Sequence, residues 1–89
     1  MGLNSNKERK AWWEAMHRRY TKQEIDAAMA TLPPGMQQVI RLHYGQGIAL
    51  QEITVLLQRN MTTIRTRQVM GMYKLWQYFG KPDYLFPVP

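Results

Sequence analysis

Residues 48–76 read IALQEITVLLQRNMTTIRTRQVMGMYKLW, and this stretch decides the fold. Leu50 to about Leu57 has the spacing of a short helix that turns Ile53, Leu56 and Leu57 inward. Gln58-Arg59-Asn60 interrupts it, and the Asn60 side chain can cap a new helix by accepting from a first-turn amide. That helix is expected from Met61 to about Tyr78, with Ile64, Met72, Leu75, Trp76 and Phe79 as one irregular apolar stripe. Met61–Thr66 is β-tolerant in composition, but the helical periodicity around it decides for a helix. A helix, a three-residue turn and a second helix make a helix-turn-helix, whose second helix fits the major groove of B-form DNA.

Working outward, the preceding text supplies short helices to support that pair. Ser5 with Glu8, and Thr21 with Glu24, both have capping-box spacing. The first pair starts a helix over Lys7–Arg19 with Trp12, Trp13 and Met16 as anchors. The second starts one whose Ile25, Ala28, Met29 and Leu32 share a face. Pro33-Pro34-Gly35 ends it, because proline disfavours helical geometry before itself. A further helix is expected from about Met36 to Tyr44, presenting Val39, Ile40 and His43, until Gly45-Gln46-Gly47 breaks it. After Gly80, three prolines exclude continued helix, and Tyr84, Leu85 and Phe86 make an apolar tail expected to pack back on the bundle. The fold class is therefore all-α: a bundle of about five helices containing a helix-turn-helix. Residues 1–31 read as a helical extension packed on the same domain, 32–79 as the motif-bearing part and 80–89 as the tail. The tryptophans should meet one another, with Trp12 or Trp13 against the last helix near Trp76.

Composition restricts function. The chain has 89 residues, 45% of them hydrophobic, and no cysteine, so neither disulfides nor thiolate zinc sites support it. His17 and His43 have no partners at metal-ligand spacing, and the sequence calls for no cofactor. No apolar run approaches the length of a membrane span or resembles a signal peptide, so a cytoplasmic protein without membrane contact is expected. Catalysis has little support: the acids are few, mostly beside bases, and no Ser-His-acid arrangement is suggested. Twelve Lys and Arg against six Asp and Glu give a net charge of +6. Between residues 59 and 76 stand Arg59, Arg65, Arg67 and Lys74 with no acid, which suits a polyanion surface.

The face opposite the apolar stripe is the candidate site. Thr62, Arg65, Thr66 and Val69 follow one another at i, i+3, i+4 and i+7. Arg65 has the chemistry to reach guanine O6 and N7, and the threonines can hydrogen-bond or touch a thymine methyl. Thr63 stands beside them nearer the cap. Arg67, Arg59 and Lys74 are better placed for phosphates, which position a protein without reading sequence. Glu52 reads as structural, pairing with Arg65 or Arg67.

Over residues 32–75 the sequence resembles region 4 of the sigma-70 family of bacterial RNA polymerase sigma factors, particularly the short form in the extracytoplasmic-function group. Leu32, Pro33, Val39, Ile40, Leu42, Tyr44 and Gly47 match the family's opening. Ile48 and Glu52-Ile53 match its Glu-Ile-Ala entry to the motif, with Thr54 for the alanine. Thr63-Ile64-Arg65-Thr66-Arg67 matches its Thr-Val-Lys-Ser-Arg signature. The resemblance implies a helix facing the upstream promoter element, with Thr62, Arg65, Thr66 and Val69 toward the bases. It implies double-stranded DNA as partner and transcription regulation as the role. Nothing resembles region 2, which melts promoter DNA, so a region 4-like protein lacking region 2 is expected. The alternative is a protein-interaction module that binds RNA polymerase or another regulator with the same fold. A lone motif gives modest DNA affinity, and a homodimer would be one remedy.

The sequence also departs from the family pattern. Gln58 and Arg59 replace a usual glycine and aliphatic residue in the turn. Ala49 replaces the Ser or Thr cap, at a cost of about 1 kcal/mol. Gln68 stands where a core leucine is common, and Gly71 where an alanine is common, costing about 1 kcal/mol of helix propensity.

Overall fold

The structure is a computed structural model that describes residues 6–83. It consists of α1 (Asn6–Arg19), α2 (Lys22–Ala30), α3 (Pro34–Ile40), a π-helical turn (Arg41–Gly45), α4 (Leu50–Leu57) and α5 (Met61–Tyr78). Among the described residues there is no strand, and Met61–Thr66 is helical. The Thr21–Glu24 box is formed in both directions: the Thr21 hydroxyl accepts from the Glu24 amide at 3.1 Å, and the Glu24 carboxylate accepts from the Thr21 amide at 2.8 Å. The Ser5–Glu8 box and the Tyr84–Phe86 tail fall outside the described residues.

Two expectations about the middle of the chain change. Helix α3 starts at Pro34 rather than Met36, because proline's fixed φ suits the first helical position and its missing N–H is not needed there. It also does not continue as α-helix to Tyr44. From Arg41 the backbone widens, and the Gln46 amide reaches back to the Arg41 carbonyl at 3.0 Å. The wide turn ends where Gly47 takes a φ of +72°, a left-handed value that favours glycine. It delivers His43 and Tyr44 into the interior.

Burial forms two groups. The larger unites Trp12 and Met16 of α1, Ile25, Ala28 and Met29 of α2, Leu32, Ile40, Tyr44, and Met72 and Leu75 of α5. The smaller joins Val39 of α3, Ile53 of α4 and Ile64 of α5, edged by Leu42, Ile48, Leu50 and Leu57. One half of α5 is thus packed into each group. Leu56 was expected inward but is 59% exposed, with Val55 beside it at 75%. In a two-turn helix the inward stripe is Leu50, Ile53 and Leu57, and Leu56 falls off its edge.

The aromatic residues also pair differently from expectation. The Trp12 ring lies 4.8 Å from that of Tyr44, while Trp13 lies beside His17 at 4.7 Å and against Gly45. Trp76 packs on the same large core, donates to the Pro82 carbonyl at 3.0 Å and meets Tyr73 edge-on. The aromatic join between the end of α1 and the end of α5 is Tyr20 stacked on Phe79, 3.9 Å apart and nearly parallel. Trp12 and Tyr44 share the large core with Met72 and Leu75 of α5.

Gly71 acquires a role that helix propensity did not reveal. It is buried at the contact of α5 with α3, where an added Cβ would lie 2.8 Å from Cγ1 of Ile40. The glycine costs about 1 kcal/mol of helix propensity but permits the close approach of the two helices.

Candidate nucleic-acid interface

The site begins with the turn between α4 and α5. Arg59 donates its amide to the Thr54 carbonyl at 3.1 Å and Gln58 donates to Val55 at 3.4 Å, a Schellman closure of α4. Such a closure needs one left-handed residue, and Gln58 supplies it at φ 53° and ψ 48°. The turn geometry therefore survives without the family's glycine, at a cost of about 1 kcal/mol. Two residues later the Asn60 side chain accepts from the Thr63 amide at 2.8 Å and starts α5. Ala49 gives α4 no side-chain cap.

With α5 fixed at its start by Asn60 and below by Ile64, its outer face is set. Met61, Thr62, Arg65, Thr66, Val69 and Met70 line one shallow open groove of about 420 Å³. Four of these, Thr62, Arg65, Thr66 and Val69, are sequence-predicted site residues, and the structure brings them together. Arg65, Thr62 and Thr66 are exposed and Val69 is half-buried. Glu52 stands exposed on α4 and forms no ion pair with Arg65 or Arg67.

The other predicted residues are placed elsewhere. Thr63 is half-buried with its amide held by the cap. Arg67 is half-buried and its guanidinium lies over Gly35 at the start of α3, where a Cβ would come within 2.8 Å of Cζ. Lys74 is exposed, nine residues after Arg65 and so about half a revolution around the helix from it. Arg59 is exposed in the turn and donates to the Gln58 carbonyl at 3.2 Å. The basic groups therefore flank α5 on several sides, while Arg65 alone among them lines the groove.

Sequence reasoning missed two features. Met61 and Met70 close the groove at its ends. Gln68 is turned inward, donating to the Tyr44 hydroxyl at 2.8 Å, and that hydroxyl in turn donates to the Met72 sulfur. A signal for the second existed: Gln68 is four residues from both Ile64 and Met72, and a polar group on a core-facing stripe needs a buried partner. Burial pushes the Tyr44 phenol up to about 12, although the Gln68 bond acts in the opposite sense. His43 is held below its ordinary value, chiefly by burial, while Nδ1 pairs with the Ile48 carbonyl at 2.7 Å and fastens the glycine turn.

Chemically, the groove offers hydrogen-bond donors and small apolar contacts on the exposed face of α5, on an acid-free stretch of chain. A helix about 10–12 Å wide with its side chains enters a major groove about 12 Å across. Among the described residues, no group of His, Cys, Asp or Glu is arranged to hold a metal ion, and no helix is long and apolar enough to cross a membrane. Residues 28–76, more than half the chain, match the family model described as Sigma-70, region 4. No curated protein and no solved structure gives a match.

Proposed function

Because the chain belongs to the Sigma-70, region 4 family of DNA-binding helix-turn-helix domains, which are non-catalytic, we propose that it binds double-stranded DNA sequence-specifically in transcription regulation. In this reading α5 lies in the major groove with Thr62, Arg65, Thr66 and Val69 toward the bases. Arg59, Thr63, Arg67 and Lys74 add phosphate contacts or charge around them. The observation that carries the proposal is the joint lining of one exposed groove by those four residues at the capped end of a helix. Arg67 enters only after its guanidinium leaves Gly35, so its contribution is expected to be smaller than its charge suggests.

Selection from a random duplex library, followed by a salt titration of the best binder, tests the proposal. A recovered consensus with a salt slope of several units supports it, because counterion release scales with phosphates contacted. Equal binding to all duplexes removes sequence reading. A second reading has its own observation: Val55 and Leu56 form an apolar surface on α4 that the fold does not cover. If no duplex binds at low salt, binding to RNA polymerase or another regulatory protein through this fold takes precedence. Sedimentation with and without duplex decides whether a homodimer forms.

A further inference from the structure

The apolar character of the outer face of α5 extends past the groove. Val69, Tyr73 and Trp76 follow at i, i+4 and i+7, so two half-buried rings continue the line of Thr62, Thr66 and Val69 toward the helix end. The rings meet edge-on at 6.1 Å. Toward the other end of this line, Met61 and Met70 are exposed at 37% and 43%. After α5 the chain turns back. Gly80 and Lys81 take left-handed φ values of 86° and 59°, and Lys81 donates its amide to the Trp76 carbonyl at 2.8 Å. The Pro82 carbonyl then accepts from the Trp76 indole at 3.0 Å. Helical side chains lean toward the helix N-terminus, so at Pro82 the chain already lies alongside α5 rather than beyond its end.

Residues 84–89, outside the described part, read Tyr-Leu-Phe-Pro-Val-Pro and carry no charged side chain. Seven extended residues after Pro82 span about 23 Å. Val69 lies seven helical residues back from Trp76, about 10 Å along the axis, and Met61 fifteen, about 22 Å. The segment therefore has the length to pass Tyr73 and reach Val69 and Met70 with chain to spare. Proline-containing segments are extended beforehand and dock on aromatic rings at low entropic cost. We propose that residues 84–89 occupy this face: they lie antiparallel to α5 over Tyr73, Val69 and Met70, and there compete with a duplex for the groove. The competition rests on the DNA-binding reading above, whereas the contact itself does not. The Trp76–Pro82 hydrogen bond is what directs the segment to α5 and not to the exposed Val55 and Leu56 of α4.

The chain has no cysteine and seven methionines, so one introduced thiol and the methionine methyl groups report the contact in the full chain. A nitroxide on Val88→Cys should broaden the Met70 and Met61 methyl resonances more than those of Met16 and Met29, which are buried in the core shared by α1 and α2. Adding Leu85→Ser and Phe86→Ser should restore the Met70 signal, with an unchanged far-UV circular dichroism spectrum. Broadening centred on other methionines, or absent from Met70, overturns the inference with no duplex present. On a duplex recovered by library selection, the Leu85→Ser, Phe86→Ser chain should bind about 5- to 10-fold more tightly, as for a face open in roughly 10–20% of unaltered molecules. Equal affinity of the two chains overturns the competition and leaves the DNA-binding reading standing. Failure to select any duplex removes that reading, and the methionine pattern then decides the contact alone.

Discussion

Tyr44 and Gln68 provide a quantitative check on how α5 is held. The Tyr44 ring is fully buried, and its hydroxyl receives the Gln68 amide at 2.8 Å while donating to the Met72 sulfur. Tyr44→Phe leaves the Gln68 amide without its acceptor. Because Gln68 is half-buried and can reach water, the cost should sit near the low end of the usual range, about 1 kcal/mol. Gln68→Leu leaves the more deeply buried hydroxyl with a thioether as its remaining partner, a loss of about 1–2 kcal/mol that is partly offset by the leucine's apolar burial. Changing both removes the polar atoms together and should be near neutral. The singles should therefore exceed the double by about 1–2 kcal/mol. Urea unfolding monitored by far-UV circular dichroism, with unchanged m-values, measures all four corners of the cycle. Alkaline titration adds an independent reading. The folded phenol ionises near 12 and the unfolded one near 10.0, so the folded state holds its proton longer. Stability from this group is complete below pH 10 and declines as pH rises toward 12, a slope that Tyr44→Phe should abolish. Additivity within about 0.5 kcal/mol would refute the coupling.

Gln58→Gly should raise stability by about 1 kcal/mol, read as a higher urea midpoint, since it relieves a left-handed residue; a lower midpoint would contradict the turn geometry. His43 has a folded pKa below its ordinary 6.5, so its contribution to stability is complete above that value and falls as pH drops beneath it. His43→Gln should flatten the wild-type decline between pH 6.5 and 5, and an unchanged decline would remove His43 as its source. On a selected duplex, Arg65→Ala should cost about 1–3 kcal/mol and relax one base pair, whereas Lys74→Ala should weaken all duplexes alike and lower the salt slope by about one. Competition titrations with preferred and scrambled duplexes decide between these two kinds of loss.

Local signals carried most of the helix assignment, and their success has a physical basis. Capping residues act within one turn, so Thr21 and Asn60 fix helix starts whatever the distant packing. The ranges of α4 and α5 agree with their expected ends for the same reason. The wide turn at Arg41–Gly45 was not legible, because no residue type there demands a π geometry. It arises where the chain leaves α3, with Trp13 packed on Gly45. The outward position of Leu56 depends on how α4 rolls on its neighbours, which spacing within two turns does not define. In the site, i, i+3, i+4 and i+7 spacing placed Thr62, Arg65, Thr66 and Val69 on one groove correctly as geometry. The position of Arg67 was hidden because it depends on Gly35, thirty-two residues earlier.

The division of α5 between two apolar groups has a consequence for how this domain can change over time. Ile64 seats the outer half of the helix in a small cluster, while Met72 and Leu75 seat the inner half in the main core. Substitutions at Thr62, Arg65, Thr66 or Val69 alter the groove and touch none of those anchors. The chemistry of that exposed face is therefore free to drift at those four positions without a matching loss of foldability. The freedom belongs to those positions and not to the whole segment, since Ile64 and Gln68 between them seat the helix in the core and hold Tyr44.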